Sequence, residues 1–453
     1  MIAARARRAT AVVAVVLPFA AAVADEPGFK LNRYDEDYGA LRDAVDVAPS
    51  QRIKFMRIGE TAYLSAGGEL RERYDVVDAP RYGIGTTRDA YLLQRLLLHA
   101  DARLDDRLRV FVQLGDEDAY GKNRPLAASD ADRFDVANAF VDVRPFATAP
   151  LTVRAGRQEL YLNATQRFVS VREGPNVRQS FDGVRLTWSD GPTRFEAFAT
   201  RPVAYAPGSF DDAADRSQRF SGLYASFVPA TGQTLDAYAF VSTRDAVRLG
   251  ANTGDEHRQT FGLRWAGRRE AVDFDVEGAG QTGRFAGRPI GAWALSAIVG
   301  YTWRAPGSPR AGFEVDIGSG DRGDGRVGTF VPLFPKGAYF NESSTVSWAN
   351  LVALRPSLTI APRAEVTLTA SVLARWRQSG RDAVYVQPYV AIAPTLAGTA
   401  RHVGETFQFD ATWRVDRHLT LSAQALHATA GAAIRAAGGR PMDFAMAIGQ
   451  YRF

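Results

Sequence analysis

Short segments in which apolar and polar residues alternate recur along this chain almost to its C-terminus, and this pattern constrains the fold most strongly. In the segment 181–188, for example, Val184, Leu186 and Trp188 alternate with polar residues such as Arg185. Strict alternation is typical of a β-strand with one apolar and one polar face. The segments have about ten residues, the length that a tilted strand needs to cross a bilayer. The pattern therefore predicts membrane-spanning β-strands.

The connections between these segments alternate in length. The short turns are 104–107, 189–192, 266–270, 304–310 and 415–418, and the long loops are 74–91, 116–133, 159–181, 203–218, 318–345 and 378–402. Barrels of the bacterial outer membrane combine an even strand number with short periplasmic turns and longer extracellular loops. The sequence thus predicts an all-β fold, a transmembrane antiparallel β-barrel of about 18 strands, located in the bacterial outer membrane.

The two ends of the chain agree with this location. Arg5, Arg7 and Arg8 precede an apolar run that ends in a small-x-small site at 22–24, so residues 1–24 are predicted to be a secretory signal peptide. Residues 25–58 are then an N-terminal periplasmic segment, either a short helix, a plug or a disordered stretch, and 59–453 form the barrel. The terminal Phe453 on an amphipathic strand resembles the signal that the barrel-assembly machinery recognises.

The composition narrows the possible functions. The chain has no cysteine, which excludes disulfides and thiolate metal sites, and its net charge of +5 gives no support to nucleic-acid binding. Lysine occurs only at Lys30, Lys54, Lys122 and Lys336, so 51 of the 55 basic residues are arginine. This bias reflects either the codon usage of a GC-rich genome or a role for the planar guanidinium, which binds carboxylates in a bidentate manner.

The polar faces of the predicted strands and one long loop carry many of these arginines. The predicted pore-lining and solute-binding residues are Arg71, Arg73, Arg109, Arg154, Arg157, Arg172, Arg178, Asp182, Arg185, Arg264, Arg375 and Arg414. A ring of arginines in a low-dielectric lumen concentrates anions. The alternative is that these arginines form ladders with carboxylates on the same faces, such as Asp273 and Asp275, whatever solute passes.

The loop 159–181 has its own hypothesis. It is long and holds three arginines together with Glu173 and Pro175, and loops of this size are usually functional or disordered. We expect it to fold inward and narrow the pore, with Arg157, Arg172 and Arg178 facing the solute. The alternative is a solvated loop at the cell surface.

Three strings of sequence resemble those of the alginate-export type of outer-membrane porin. They are AGRQELYL from Ala155, SVREGPNVRQSFDGVRL from Ser170 and DIGSGDRGDGRVGTFVPLFPKG from Asp316. The resemblance covers residues 63–453 and implies an eighteen-stranded barrel with an arginine-rich pore. The alginate exporter that this family resembles closes its periplasmic mouth with a long turn late in the chain. The corresponding turn here, 415–418, has only four residues. This departure favours uptake or general diffusion over the export of alginate itself.

The expected function is therefore passive passage of anionic solutes, which are acidic saccharides or organic acids, with an alginate-like polyuronate as the more specific form. Outer-membrane lipids and the anionic solute are the expected partners. The alternative is a surface-binding or adhesive barrel with a plugged lumen. No enzyme and no cofactor are expected, since none of the five histidines lies in a hydrolase motif, although His99 and Asp101 leave a distant triad open.

One weak metal site is considered. Asp316, Asp321 and Asp324 lie in a glycine-rich stretch and could offer carboxylate oxygens to calcium. The spacing lacks the twelve-residue pattern of an EF-hand loop, and a turn solvated by aspartates is the alternative.

Overall fold

The computed structural model describes residues 28–43, 51–249 and 252–453, so the predicted signal peptide lies outside the described residues. The chain forms an 18-stranded closed antiparallel β-barrel, as the sequence predicts. The barrel strands are β1 Tyr63–Asp78, β2 Asp89–Arg103, β3 Leu108–Tyr120, β4 Asp132–Val143, β5 Leu151–Gln158, β6 Phe181–Asp190, β7 Thr193–Ala204, β8 Gln218–Phe227, β9 Gln233–Leu249, β10 Asn252–Arg269, β11 Val272–Phe285, β12 Arg288–Thr302, β13 Arg310–Gly318, β14 Leu351–Arg363, β15 Val366–Trp376, β16 His402–Arg414, β17 Leu419–Ala428 and β18 Met442–Arg452.

Closure of the barrel joins its first and last strands. Each strand pairs with its neighbours in sequence, and β1 also pairs with β18 in a register that places Glu69 opposite Arg452 and Asp78 opposite Asp443. Antiparallel closure satisfies the backbone hydrogen-bonding groups of every strand, which a bilayer requires because it offers no water. The short elements outside this sheet include the strands Val384–Val386 and Val390–Ile392 and the helix Ala432–Ala436.

The connections follow the predicted alternation except at two outer turns. Strand β9 ends at Leu249 and β10 begins at Asn252, while only Ala286 and Gly287 separate β11 from β12. Ala286 has a φ of 47° and Gly287 a φ of 78°, and two consecutive positive φ values are what a two-residue hairpin turn of type I′ requires. The sequence Ala-Gly lacks the asparagine or aspartate that usually marks such a turn, so the sequence analysis missed it.

The outer surface of the barrel is apolar. Leu223 and Leu263 are more than 60 % exposed, and Val184 and Leu186 of the segment 181–188 also face outward, whereas Arg185 points inward and is buried. Aromatic side chains gather at the periplasmic strand ends, where they match the girdles that anchor such barrels at the membrane interface. These are Trp265, Tyr301, Trp303 and Trp413, which are 44–50 % exposed.

Helical structure is minor. Of the helices in the described ranges, none has the length and apolar character needed to cross a membrane.

Candidate functional site

The β5–β6 loop (residues 159–180) folds into the barrel and contacts several parts of its inner wall. Arg167 reaches β11, where its Nη1 atom lies 2.8 Å from both Asp275 Oδ1 and Glu277 Oε2. Its Nε atom donates a hydrogen bond of 3.0 Å to the hydroxyl of Tyr339. The Arg167 side chain is fully buried, so these carboxylates compensate a charge that has lost its water.

The tip of this loop is held by arginines of β1 and β2. Arg71 donates to the carbonyl oxygens of Glu173 (2.6 Å) and Pro175 (2.9 Å), and Arg73 donates to that of Gly174 (3.0 Å). Arg95 donates to the Glu173 carboxylate at 2.5 Å. Although burial raises it, the pKa of Glu173 is held below its usual range by Arg95 and other arginines. Arg71 and Arg73, predicted to face the solute, instead fix the loop across the lumen.

An apolar cluster joins the β5–β6 loop to the β13–β14 loop (residues 319–350). The ring of Phe168 lies 5.1 Å from the rings of Phe330 and Trp348, and all three side chains are at most 3 % exposed. The amide of Phe334 donates a hydrogen bond of 2.8 Å to the carbonyl of Phe168. Both loops are thereby packed as one layer inside the barrel, with the aromatic residues of β6–β9 beneath them.

The base of the β5–β6 loop rests on an ion pair. Arg178 Nε lies 2.8 Å from Glu159 Oε1, and Arg178 also donates to Asn32 Oδ1 at 2.9 Å and to the carbonyl of Leu31 at 3.1 Å. Arg178 was predicted to face the solute, but its side chain is only 5 % exposed. It connects this loop to the N-terminal segment. Burial raises the pKa of Glu159 to about 7, although Arg178 opposes this shift.

This raised pKa predicts a pH-dependent stability. A carboxyl group whose pKa rises from about 4.5 to about 7 on folding binds a proton more tightly in the folded state. Its stabilising contribution is complete below about pH 4.5 and is lost as the pH rises through 7. We therefore expect the melting temperature of the wild type to fall between pH 5 and pH 8 by more than that of Glu159→Gln. Equal slopes in the two proteins would contradict the prediction.

The described part of the N-terminal segment, residues 28–43, lies inside the periplasmic end of the lumen. The buried ring of Tyr34 packs edge-on against Phe111 and Phe140, with ring centroids 5.7 and 5.5 Å away. Arg33 donates hydrogen bonds to the carbonyls of Gly68 (2.7 Å) and Phe453 (3.1 Å). The segment therefore occupies part of the lumen as a plug would and ties the barrel's two closing strands together.

A cavity of about 750 Å³ adjoins this segment at the periplasmic mouth. Three predicted pore-lining arginines are in its wall, and each binds a carboxylate. Arg109 chelates Asp101 (2.6 and 2.9 Å), Arg154 chelates Asp142 (2.7 and 2.8 Å), and Arg185 lies 2.7 Å from Glu196. The ladder alternative therefore describes these three arginines, because a carboxylate balances each of their charges.

The remaining wall arginines are also engaged. Arg157 chelates Asp182 at 2.9 and 3.1 Å, and Arg264 lies 2.7 Å from both Asp236 and Asp275. Two others bind backbone carbonyls instead. Arg375 donates to Thr345 (2.9 Å) and Tyr385 (2.6 Å), and Arg414, at the periplasmic rim, donates to Ala364 (2.7 Å).

Arg172 differs from all the arginines just described. Among the residues that the structure describes, none accepts a hydrogen bond from its guanidinium and no carboxylate lies within ion-pairing distance; its recorded side-chain contact is the Phe334 ring, 5.9 Å away. Its backbone is left-handed, with a φ of 54°, a conformation that costs an arginine about 1–2 kcal/mol. Burial lowers the pKa of Arg172, as expected for a cation without a counter-ion.

Lys336 is a second cation of this kind. It lies in the β13–β14 loop, two residues beyond Phe334, and within the described ranges its amine has no hydrogen bond and no ion pair. Burial lowers its pKa, and the more distant Glu342 and Glu173 oppose this shift. The sequence analysis noted Lys336 only as one of four lysines. Phe334 forms a backbone bridge with Val169 of the β5–β6 loop, so Lys336 comes close to that loop only in the folded chain.

Two weak candidates for other chemistry are also located in the structure. The proposed calcium ligands are not brought together. Asp316 is buried on β13 and accepts a hydrogen bond from Tyr339, whereas Asp321 and Asp324 lie in the following loop, near Arg288 and bound to the Arg326 amide. The strand fixes Asp316 toward the lumen, which separates it from the loop.

The histidine considered for a distant triad, His99, is also placed differently. Its ring stacks on Phe111 with centroids 5.7 Å apart, and both oxygens of Asp101 bind arginines. The described contacts therefore include no hydrogen bond between His99 and Asp101.

These features define a class of protein, the porin-type β-barrel of the Gram-negative outer membrane with loops folded into its lumen. The model of the alginate export family matches residues 62–448, and the chain therefore belongs to this family. No curated protein sequence matches the chain.

Among the solved structures with a similar fold are porins of two bacteria. The barrel resembles Pseudomonas aeruginosa OccK2 (OpdF), with a TM-score of 0.60, 10 % identity and coverage of 86 % of this chain and 97 % of that one. Acinetobacter baumannii OccAB1 gives a TM-score of 0.59 at 12 % identity, covering 89 % and 99 %. OccK2 in complex with glucuronate gives 0.57 at 11 % identity, covering 88 % and 99 %. At these identities the likeness concerns the fold.

Proposed function

We propose that this protein is an outer-membrane channel through which anionic solutes diffuse passively, with carboxylated saccharides or small organic acids as the solute class. The observation that carries the proposal is the cationic site formed by the loops inside the barrel. Arg172 has no acceptor among the described residues, and Lys336 lies in the same layer of loops. A guanidinium without a partner binds a carboxylate readily, because no existing hydrogen bond or ion pair has to be broken first.

The surroundings of this site favour weak and transient binding. Arg172 is partly exposed, and salt and water reduce the attraction of such a charge. Weak binding suits a channel, since a solute must leave as easily as it enters. Beyond the loops, the periplasmic cavity is lined by more cations than carboxylates, and two of these cations, Arg42 and Arg144, bind backbone carbonyls rather than carboxylates. A solute carboxylate therefore meets several weak contacts there rather than one strong one.

The comparisons support this solute class without deciding it. The family model describes alginate export, and alginate is a polymer of uronic acids; OccK2, similar in fold, was crystallised with glucuronate. The turn between β16 and β17 is short in this chain, since β16 ends at Arg414 and β17 begins at Leu419. A turn this short cannot cover the periplasmic mouth, which is occupied in part by the N-terminal segment instead. This arrangement favours diffusion of small solutes over polymer export.

The proposal is tested by reconstituting the full chain in planar bilayers. In a salt gradient we expect a reversal potential of the sign that marks anion selectivity. Added glucuronate should reduce the current more than the same concentration of glucose. Cation selectivity, or equal effects of the two sugars, would contradict the proposal. Absence of any conductance in protein that migrates as a folded barrel would favour the surface-binding alternative.

A further inference from the structure

Four aspartates from two separate parts of the chain meet at the outer end of the barrel. Asp132 and Asp135 lie at the start of β4, and Asp211 and Asp212 lie in the β7–β8 loop (residues 205–217). One carboxylate oxygen of each lies within 4.8 Å of those of the other three. The amides of Asp211 and Asp212 donate to Asp135 Oδ2 at 2.8 and 3.2 Å, which sets the loop against the strand. We call this group the aspartate cluster.

The cluster contains buried oxygens without a hydrogen-bond donor. Asp132 is 4 % exposed, and its Oδ1 atom has no donor among the described residues. The Asp212 side chain is 1 % exposed, and its Oδ2 atom is in the same situation. An unpaired buried carboxylate oxygen is costly, and the cost is larger when other carboxylates surround it.

The nearest described cation does not balance the cluster. Arg157 Nη1 lies 3.8 Å from Asp212 Oδ2 and 3.9 Å from Asp135 Oδ1, too far for hydrogen bonds. Its Nε and Nη2 atoms already chelate Asp182. One guanidinium that is shared with a fifth carboxylate leaves a negative excess at the cluster.

A small cavity borders the part of the cluster that lies on β4. It has a volume of about 10 Å³, which is space for roughly one water-sized particle, and Asp132 and Asp135 form part of its wall. Glu117, Glu159 and Arg178 also line it, whereas Asp211 and Asp212 do not. Four carboxylates against one guanidinium give this wall a negative excess next to the cluster.

We propose that the aspartate cluster binds a calcium ion. Calcium takes oxygen ligands at about 2.3–2.6 Å in flexible geometry, so oxygens on opposite sides of the ion lie about 4.6–5.2 Å apart. The 4.8 Å spread of the four carboxylates fits within such a shell. Magnesium needs about 4.2 Å across a strict octahedron and keeps several waters, so four carboxylate oxygens spread over 4.8 Å fit it less well than calcium.

The ion fixes more than the outer loop. Tyr205 begins the β7–β8 loop, accepts a hydrogen bond of 2.6 Å from the Ser180 amide and donates one of 2.6 Å to the Arg178 carbonyl. Both of these residues are at the base of the β5–β6 loop. Calcium at the cluster therefore stabilises the loop that carries Arg172 and reduces its fluctuations in the open channel.

Isothermal titration with calcium chloride tests the proposal, using the full chain in detergent after treatment with EDTA. We expect one calcium ion per chain to be lost, or bound at least ten-fold more weakly, in Asp132→Asn and Asp211→Asn. Asp324→Asn, an aspartate of the glycine-rich turn, is the matched control and should bind as the wild type does. Wild-type protein without this ion, or equal binding by all four proteins, would overturn the proposal.

Folding of each variant is checked by its heat-dependent shift in gel mobility. Because Asp211 is exposed, Asp211→Asn decides the question even where Asp132→Asn fails to fold. Titration with magnesium chloride should give binding at least ten-fold weaker than calcium, and equal affinity for the two ions would contradict the assignment. The outcome does not depend on anion selectivity, so the calcium site and the proposed function fail separately.

Discussion

Replacing Arg172 by glutamine is expected to lower the anion-to-cation permeability ratio of the channel about five-fold. The side chain lies in the layer of loops inside the barrel and has no acceptor among the described residues, so no paired carboxylate cancels its charge when an ion passes. At an effective dielectric constant between those of a protein surface and water, one charge several ångströms away contributes about 1 kcal/mol, which corresponds to this ratio. The measurement is the reversal potential in a salt gradient.

The matched control for this experiment is Arg414→Gln. Arg414 is exposed at the periplasmic rim and donates to the Ala364 carbonyl, so salt screens its charge. We expect little change in its permeability ratio. The double variant Arg172→Gln with Lys336→Gln should lower the ratio further than Arg172→Gln alone. An unchanged ratio in both Arg172 variants would contradict the role given to this site.

Replacing Arg95 by methionine is expected to cost about 3–5 kcal/mol of unfolding free energy. Arg95 is fully buried and binds Glu69 at 2.7 Å and Glu173 at 2.5 Å. Removing one partner of a buried ion pair costs this much when the other charge is left alone. Here two carboxylates lose a cation together, but Glu69 keeps Arg452 at 2.9 Å and Glu173 keeps Arg178 at 3.4 Å, so we expect the lower end of this range. The measurement is the midpoint and slope of urea unfolding in detergent, followed by tryptophan fluorescence.

Two further variants make the experiment specific. Arg440→Met removes an exposed partner of Asp78 outside the lumen, and its unfolding midpoint should match that of the wild type because water solvates both charges. The double variant Arg95→Met with Glu173→Gln should recover part of the loss, since one of the two carboxylates that lose Arg95 is then neutral. A midpoint for Arg95→Met equal to that of Arg440→Met would show that the buried network contributes no stability.

Several features of the site were accessible from sequence because they depend on local pattern. Alternation identified Arg109, Arg154 and Arg185 as inward-facing residues, and all three line the periplasmic cavity. The alternation could not identify their partners. Each arginine binds a carboxylate on a neighbouring strand, and the register between two strands is not visible in the pattern of either one. The length and composition of the loop 159–181 indicated that it would fold inward, but nothing in its sequence separated Arg172 from Arg178.

Other features had no sequence signal. The inward loops are fixed by Arg95, Arg167 and Trp348. Nothing in the neighbouring sequence distinguishes these residues from other arginines and tryptophans, and only their contacts show the role. The calcium ligands predicted from neighbouring positions, Asp316 and Asp321, are separated. The aspartate cluster instead draws on two segments about eighty residues apart, which no local motif can express.

The sequence by itself determined the barrel, its strand number and its orientation of faces. A strand in a bilayer must turn its apolar residues to the lipid, and barrel closure must satisfy its backbone hydrogen-bonding groups. Each barrel strand therefore carries the same alternation of apolar and polar residues, which can be read from the sequence. Only the tertiary structure decided which inward arginines are free. Their pairing depends on how the loops and the N-terminal segment fill the lumen, and this is set by contacts between residues such as Arg33 and Phe453 that lie at opposite ends of the chain.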